Sequence, residues 1–187
     1  MSLVRKSNTG KYGLVYHIVP PYGLMNDPNG LIYFKGQYHV FFQWNPTDTK
    51  HANKHWGHLV SDDMIQWKRV ELALAPDQWF DKSGVYSGSA YVHNDQLWLF
   101  YTGNVKDDEG NASSYQCLAV SEDGIHFEKK GPLFEHPKGY TRHVRDPKVW
   151  YDARVDHYWM VVGAQTEDLK GDTLVYRSED LLHWVLN

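Results

Sequence analysis

The sequence predicts an all-β protein built from the blades of a β-propeller. A seven-residue segment occurs three times, beginning at Ser61, Ser121 and Ser178, so that successive copies lie 60 and 57 residues apart. Short runs of β-branched and aromatic residues precede each copy and are separated by Gly, Asn and Asp, as is typical of strands joined by tight turns. Four strands in a repeat of roughly this length indicate a propeller blade.

Each repeat is predicted to contain a hairpin, a third strand, an acidic turn and a last strand. The predicted hairpin strands are 31–34 with 38–43, 89–92 with 97–102, and 148–151 with 158–163, and the third strands are 56–60, 116–120 and 173–177. We place the blades near residues 22–80, 81–140 and 141–187. Because propellers close with about four to eight blades, we expect these three to be the N-terminal portion of a larger propeller.

The repeated segment has the pattern Ser-x-Asp-x-x-x-aromatic and predicts a structural turn. Its aspartates are Asp63, Asp123 and Asp180. Aspartate side chains accept hydrogen bonds from backbone amides a few residues further on, which stabilises a turn. We therefore expect these three carboxylates to hold hairpins, with the aromatic residue packed behind the turn.

The composition excludes several classes of function. The net charge is −4 and no basic stripe occurs, so nucleic acid and anionic membranes are poor partners. No run approaches 18 apolar residues, and the first ten residues lack the apolar core of a signal peptide. Cys117 is the one cysteine, so no intrachain disulfide forms. These features predict a cytoplasmic protein, and they leave its oligomeric state open.

Two Asp-Pro pairs carry the candidate chemistry: Asp27-Pro28, within the run 25–30, and Asp146-Pro147. Proline drives the preceding residue towards extended backbone, so we expect both aspartates on rigid, extended segments. Asp-Pro and Asn-Gly also form plain turns. In a propeller, however, the innermost strands line one channel, where the two carboxylates could face one small substrate, as glycoside cleavage requires.

Five motifs follow one another along the chain: Met25–Gly30, Phe42–Pro46, Trp56–His58, Ser87–Ala90 and Arg145–Pro147. Together they resemble the motif series of glycoside hydrolase family 32, which comprises invertases, sucrose-6-phosphate hydrolases, inulinases and levanases. The resemblance implies a five-bladed catalytic propeller followed by a β-sandwich. About three blades then lie in this chain, and the remaining blades and the sandwich are expected beyond Asn187.

The resemblance also implies roles for individual residues. Asp27 matches the nucleophile of the family, and Asp146 matches the stabiliser of the transition state. The residues that match the fructosyl-binding set are Asn26, Gln43, Trp56, Tyr86 (as an aromatic wall), Ser87 and Arg145. The implied reaction is hydrolysis of terminal β-D-fructofuranosides such as sucrose or sucrose 6-phosphate by a retaining double displacement, without a cofactor.

One family feature is missing from the sequence. The family's acid/base is a glutamate in a Glu-Cys-Pro motif on the fourth blade, whereas Cys117 follows Gln116. Neither Glu167 nor Glu179 lies in such a motif. We therefore expect the acid/base shortly beyond Asn187 and expect this chain alone to be inactive.

Several interpretations remain open at this stage. A non-catalytic carbohydrate-binding propeller fragment is the main alternative, and a neighbouring propeller family acting on arabinose-containing glycans is disfavoured by the run 26–30. The substrate could be sucrose, sucrose 6-phosphate or a fructo-oligosaccharide. Arg142 and Lys138 suit either a phosphate pocket or a solvated loop, and His143 either the cavity rim or such a loop. His51, His55 and His58 predict no metal site, because strand alternation puts the last two on opposite faces.

Overall fold

The structure is a computed structural model that describes residues 17–187, and the regular structure in this range consists of strands arranged as three four-stranded antiparallel sheets. The first sheet contains β1 (Leu24–Phe34), β2 (Gln37–Asn45), β3 (His55–Ser61) and β4 (Lys68–Arg69). The second contains β5 (Val85–His93), β6 (Gln96–Lys106), β7 (Ala112–Ser121) and β8 (Glu128–Glu135). The third contains β9 (Arg145–Asp152), β10 (His157–Gln165), β11 (Gly171–Ser178) and β12 (Val185–Leu186).

The strands follow chain order within each sheet, which confirms the predicted all-β, propeller-type fold with about three blades. The first two hairpins turn at Lys35-Gly36 and Asn94-Asp95, where all four residues have positive φ. Two consecutive residues with positive φ match the twist of an antiparallel ribbon. No helix of the described residues is long and apolar enough to cross a membrane.

The first strand of each sheet begins earlier than predicted, because a bulge lets pairing continue past the Asp-Pro or Ser-Gly pair. Residue 26 pairs with residue 43 and residue 28 with residue 42, so Asp27 is an extra residue. Ser87 is the extra residue of the second sheet. In the third sheet Asp146 and Pro147 face Val162 alone. A bulge of this kind bends its strand and re-aims one side chain.

The expectation of extended backbone at the two aspartates is wrong. Asp27 has φ +40° and Asp146 has φ +66°, both in the left-handed region. Aspartate is among the few residues other than glycine that adopt this conformation readily. The bulge imposes it and overrides the extended preference that a following proline confers.

Two hydrophobic clusters stack the sheets. One cluster joins Phe41 and Trp56 of the first sheet to Leu99 and Tyr101 of the second. The other joins Phe100 of the second sheet to Met160 of the third. Neighbouring side chains of β6 thus pack on opposite faces of the second sheet, as expected from the alternation of side chains along a strand. The stacking brings β1 beside β5 and β5 beside β9.

A buried ion pair joins the segment between the first two sheets to β8. The Lys129 ammonium lies 2.7 Å from the Asp77 carboxylate and 2.5 Å from that of Asp81. It also donates a hydrogen bond to the carbonyl of Ala75. The Asp81 side chain is fully buried and accepts a further bond of 3.1 Å from the Tyr101 hydroxyl.

The acidic turns have the structural role predicted for them. Asp63 accepts bonds from the amides of Ile65 and Gln66, at 2.8 and 2.7 Å. Equivalent pairs of bonds occur at Asp123 and Asp180. The aromatic residues behind the turns, Trp67, Phe127 and Trp184, are half-buried. Hydrogen bonding lowers the pKa of all three aspartates, as expected of carboxylates that cap backbone amides.

Candidate active site

The three bulges place Asp27, Ser87 and Asp146 at equivalent positions of adjacent first strands. The Ser87 hydroxyl donates a hydrogen bond of 3.2 Å to the Asp27 carboxylate, across two sheets. Asp27 is exposed, whereas Ser87 is buried. Desolvation raises the pKa of Asp146, and the charge of Asp27 adds to this increase. The two aspartates therefore act on each other electrostatically at one opening, although 119 positions separate them in the sequence.

A set of polar side chains supports Asp27 from the first sheet. Asn26 donates a hydrogen bond of 2.8 Å to the amide oxygen of buried Gln43. The ammonium of Lys54 donates to the side-chain oxygen of Asn26. Asn29 donates from its side chain to the Asp27 carbonyl at 2.9 Å, which holds the bulge. Asn26 and Gln43 thus form a hydrogen-bonded pair next to the bulge at Asp27.

Lys54 is a site residue that the sequence reasoning missed. Its residue surface is 4% exposed, and burial lowers its pKa while the charge of Asp27 opposes that shift. The Lys54 ammonium therefore provides a positive charge that interacts with the Asp27 carboxylate, the candidate nucleophile. Its sequence signal is weak, because Lys54 lies in a polar loop segment with no motif of its own.

Asp146 is anchored through its backbone. Its amide donates to the Thr102 hydroxyl at 3.2 Å, and Thr102 donates to Gln116 at 2.9 Å. Gln116 is fully buried and donates to the Val144 carbonyl at 3.0 Å. This chain of bonds ties the third blade to the second beneath the carboxylate. Neither Thr102 nor Gln116 belongs to a sequence motif. Their contact could have been found only by pairing the predicted strands, because the two residues lie opposite each other in β6 and β7.

The Arg145 guanidinium lies near the Asp146 carboxylate but does not determine the direction of its pKa shift. The Nε of Arg145 lies 3.8 Å from Asp146. This charge lowers the pKa of Asp146, but desolvation among the strand ends outweighs it and the net pKa is raised. Arg145 instead donates from Nη1 to Nδ1 of His143 at 2.5 Å.

Trp56 does not reach the opening. Its side chain is fully buried, and its indole N–H donates to the Tyr86 carbonyl at 3.0 Å. Direct contact between Trp56 and a substrate, as implied by the resemblance, is therefore incompatible with this structure. Burial in the cluster between the first two sheets makes Trp56 a positioning residue for Tyr86, which is half-buried next to Ser87.

The histidines of β2 and β3 form a core pair. His39 Nδ1 lies 3.0 Å from His58 Nε2, and the two rings stack. Burial lowers the pKa of His58 to about 3, so it is neutral at physiological pH. His51 is exposed and His55 is half-buried. Within residues 17–187, no group of three or more His, Cys, Asp or Glu side chains is arranged to hold a metal ion.

Propeller blades with two carboxylates on their first strands fit the class of propeller-type glycoside hydrolases, because two positioned carboxyl groups are the usual apparatus of glycoside cleavage. Comparison with known families agrees. Residues 17–187 match the model of the glycosyl hydrolases family 32 N-terminal domain, and the chain belongs to this family.

The chain is 56% identical over 178 residues to the sucrose-6-phosphate hydrolase of Bacillus subtilis (strain 168), covering 95% of this chain and 37% of the relative. It is 48% identical over 169 residues to that of Salmonella typhimurium, covering 90% of this chain and 36% of the relative. The structure of a Lactobacillus gasseri sucrose-6-phosphate hydrolase superposes with a TM-score of 0.90 at 37% identity, covering 95% of this chain and 36% of that one.

A mutant of the Bombyx mori GH32 β-fructofuranosidase BmSUC1, solved in complex with sucrose, superposes with a TM-score of 0.81 at 39% identity. This match covers 91% of our chain and 36% of the silkworm protein. The chain therefore spans little more than a third of the length of the relatives it matches.

Proposed function

We propose that this chain is the N-terminal part of a glycosidase that cleaves terminal β-D-fructofuranosides, such as sucrose or sucrose 6-phosphate, with retention. The observation that carries the proposal is the shared bulge, which presents Asp27 and Asp146 at one opening and joins Asp27 to Ser87. The similarity to a sucrose-6-phosphate hydrolase and to a β-fructofuranosidase supports the same substrate class.

In the proposed reaction, the Asp27 carboxylate attacks the anomeric carbon of the fructosyl unit and forms a covalent fructosyl-enzyme, which water then hydrolyses. Ser87 orients the attacking Asp27 carboxylate. The Asn26–Gln43 pair binds the sugar hydroxyls. Asp146 binds sugar hydroxyls and stabilises the oxocarbenium-like charge, through interactions that strengthen in the transition state.

The leaving oxygen needs a proton donor, and we propose that it is a glutamate outside residues 17–187. Glu179 lies in the third acidic turn, 3.7 Å from His157. The exposed Glu167 lies in a loop, where its amide bonds to the Gly139 carbonyl. Since positioned acid/base catalysis contributes about 10²–10⁴-fold, these 187 residues assayed alone are expected to show almost no turnover.

The proposed substrates are small sugars, and the proposed compartment is the cytoplasm. A phosphorylated disaccharide is an intracellular metabolite by its charge, because a phosphate monoester crosses an apolar bilayer poorly. The single cysteine, Cys117, is buried and free, in keeping with a reducing compartment.

The test is hydrolysis of sucrose and sucrose 6-phosphate by the longest natural polypeptide that carries this sequence. Asp27→Asn keeps the shape of the side chain and is expected to lower kcat by at least about 10³-fold, because a neutral amide is a poor nucleophile. Asp95→Asn is the matched control, since Asp95 lies in an exposed hairpin turn where asparagine is equally tolerated.

Wild-type turnover in Asp27→Asn would refute the nucleophile assignment. Binding of sucrose without any release of fructose by the unmodified polypeptide would refute hydrolysis and favour a carbohydrate-binding role. Isolation of a fructosyl adduct on Asp27 by mass spectrometry is the positive result expected of a retaining mechanism.

A further inference from the structure

Lys54 is held between the first two sheets by both its backbone and its side chain. Its carbonyl accepts a hydrogen bond of 2.9 Å from the amide of Val85, the first residue of β5. Its ammonium donates to the side-chain oxygen of Asn26 in β1. Lysine is almost never buried to this extent without a partner, and here the bonded partner is an amide rather than a carboxylate.

The ammonium fixes the direction in which the Asn26 amide points. A lysine side chain has donors and no acceptor, so the Asn26 oxygen must face Lys54 and the Asn26 nitrogen must face away. That nitrogen donates a hydrogen bond of 2.8 Å to the side-chain oxygen of Gln43. The Gln43 nitrogen is therefore the end of this series of bonds that is left to donate. One donor-only group thus determines the orientation of two amides whose oxygen and nitrogen ends have nearly the same shape.

The side-chain nitrogen of Gln43 is available to a ligand. Gln43 is 5% exposed. Its side-chain nitrogen bonds to no acceptor within residues 17–187, and it is not one of the enclosed polar atoms that lack a partner. Gln43 pairs with Asn26 directly before the bulge at Asp27, so this free donor lies next to the candidate nucleophile.

We infer that Lys54 is a positioning residue, which orients the Asn26 and Gln43 amides so that the Gln43 nitrogen donates a hydrogen bond to a hydroxyl oxygen of the fructosyl unit. This inference rests on the proposed function and deepens it, because it names the group that fixes the binding amides. A sugar hydroxyl has one proton, which the ionised aspartates at the opening accept. The oxygen of that hydroxyl then needs a donor, and a reversed Gln43 amide would present a second acceptor instead.

The test compares kcat/KM for the release of fructose from sucrose by the full natural polypeptide. Lys54→Met removes the donors and is expected to lower kcat/KM by about 10–100-fold, the value of one hydrogen bond to a charged group. Lys54→Arg keeps the charge and the donors and is expected to recover part of this loss. Lys50→Met is the matched control, because Lys50 is an exposed cation of the same loop that lies 3.7 Å from Asp48, and it is expected to leave kcat/KM unchanged.

A double variant shows whether Lys54 acts through Gln43. Gln43→Met removes the amide, so adding Lys54→Met to it is expected to lower kcat/KM by less than about threefold further, because effects that pass through one residue are not additive. A purely structural role of Lys54 predicts the same loss in both backgrounds. Equal losses in the two backgrounds, or wild-type kcat/KM in Lys54→Met, overturn the inference and leave the proposed hydrolysis intact.

Titration of fructose into each folded variant separates this inference from the proposed function. Unfolding monitored by tryptophan fluorescence first identifies the variants that fold. Lys54→Gln, whose amide does not dictate the direction of its neighbour, replaces Lys54→Met if the latter does not fold. Weaker fructose binding in this variant than in the wild type supports the inference even without turnover, and equal binding overturns it. A wild-type polypeptide that neither releases nor binds fructose refutes the proposed function, and the inference with it.

Discussion

Replacement of Lys129 by methionine is expected to destabilise the protein strongly. Among residues 17–187, the Lys129 ammonium is the cation that pairs with the fully buried Asp81, and it also binds Asp77 and the Ala75 carbonyl. Removal of one partner of a buried ion pair costs about 3–5 kcal/mol, because the other charge stays buried without compensation. Asp81 keeps bonds from Tyr101 and the Gln78 amide, so we expect the lower end of this range.

Urea unfolding monitored by tryptophan fluorescence measures this change. A loss of about 3 kcal/mol corresponds to a decrease in Tm of roughly 6–12 °C for a domain of this size. Lys130→Met is the matched control, because Lys130 lies in the same strand but pairs with exposed Glu128, and such surface pairs contribute about 0–1 kcal/mol. Adding Asp81→Asn to Lys129→Met is expected to restore stability, since it removes the orphaned charge. Equal stability of Lys129→Met and Lys130→Met would refute the reasoning.

Two further predictions concern the first sheet. Gly57→Ala is expected to cost about 1–3 kcal/mol, because a Cβ there would lie 2.3 Å from the Phe42 ring; Gly171→Ala, with no atom within 4 Å of its Cβ, is the control in the same unfolding experiment. The lowered folded-state pKa of His58 means that its contribution to stability is complete above pH 6.5 and is lost as the pH falls from about 6.5 towards 3. His58→Phe is expected to flatten this part of the stability profile, and an unchanged slope would show that His58 does not titrate on unfolding.

The fold could be predicted well from the sequence because each blade repeats the same pattern of strands and turn residues. Hairpin turns such as Asn94-Asp95 and acidic turns such as Ser61–Trp67 are specified locally, by residues that adopt positive φ or accept backbone hydrogen bonds. The same local rules failed at Asp27 and Asp146, where pairing with the neighbouring strand imposes a bulge that proline alone does not predict.

The candidate site was predicted in part. Asp27, Ser87 and Asp146 are all at the opening, but their equivalence was hidden because they occur in three different tripeptides: Asn-Asp-Pro, Tyr-Ser-Gly and Arg-Asp-Pro. Trp56 shows the opposite error, since a motif residue turned out to be buried. Lys54 contacts Asn26, which lies 28 positions earlier in the chain. This contact depends on the conformation of the loop before β3, and no repeating pattern in the sequence predicts it.

The bulge allows the extra residue to differ between blades while the pairing of the strands stays the same. Its neighbours pair on both sides whether the extra residue is aspartate or serine, so one substitution changes what a blade contributes at the opening without disturbing the sheet. The serine of the middle blade therefore has electrostatic importance. A third aspartate at that position would add like charge beside Asp27 and raise the pKa values of the group, whereas serine adds no charge and donates a hydrogen bond to Asp27.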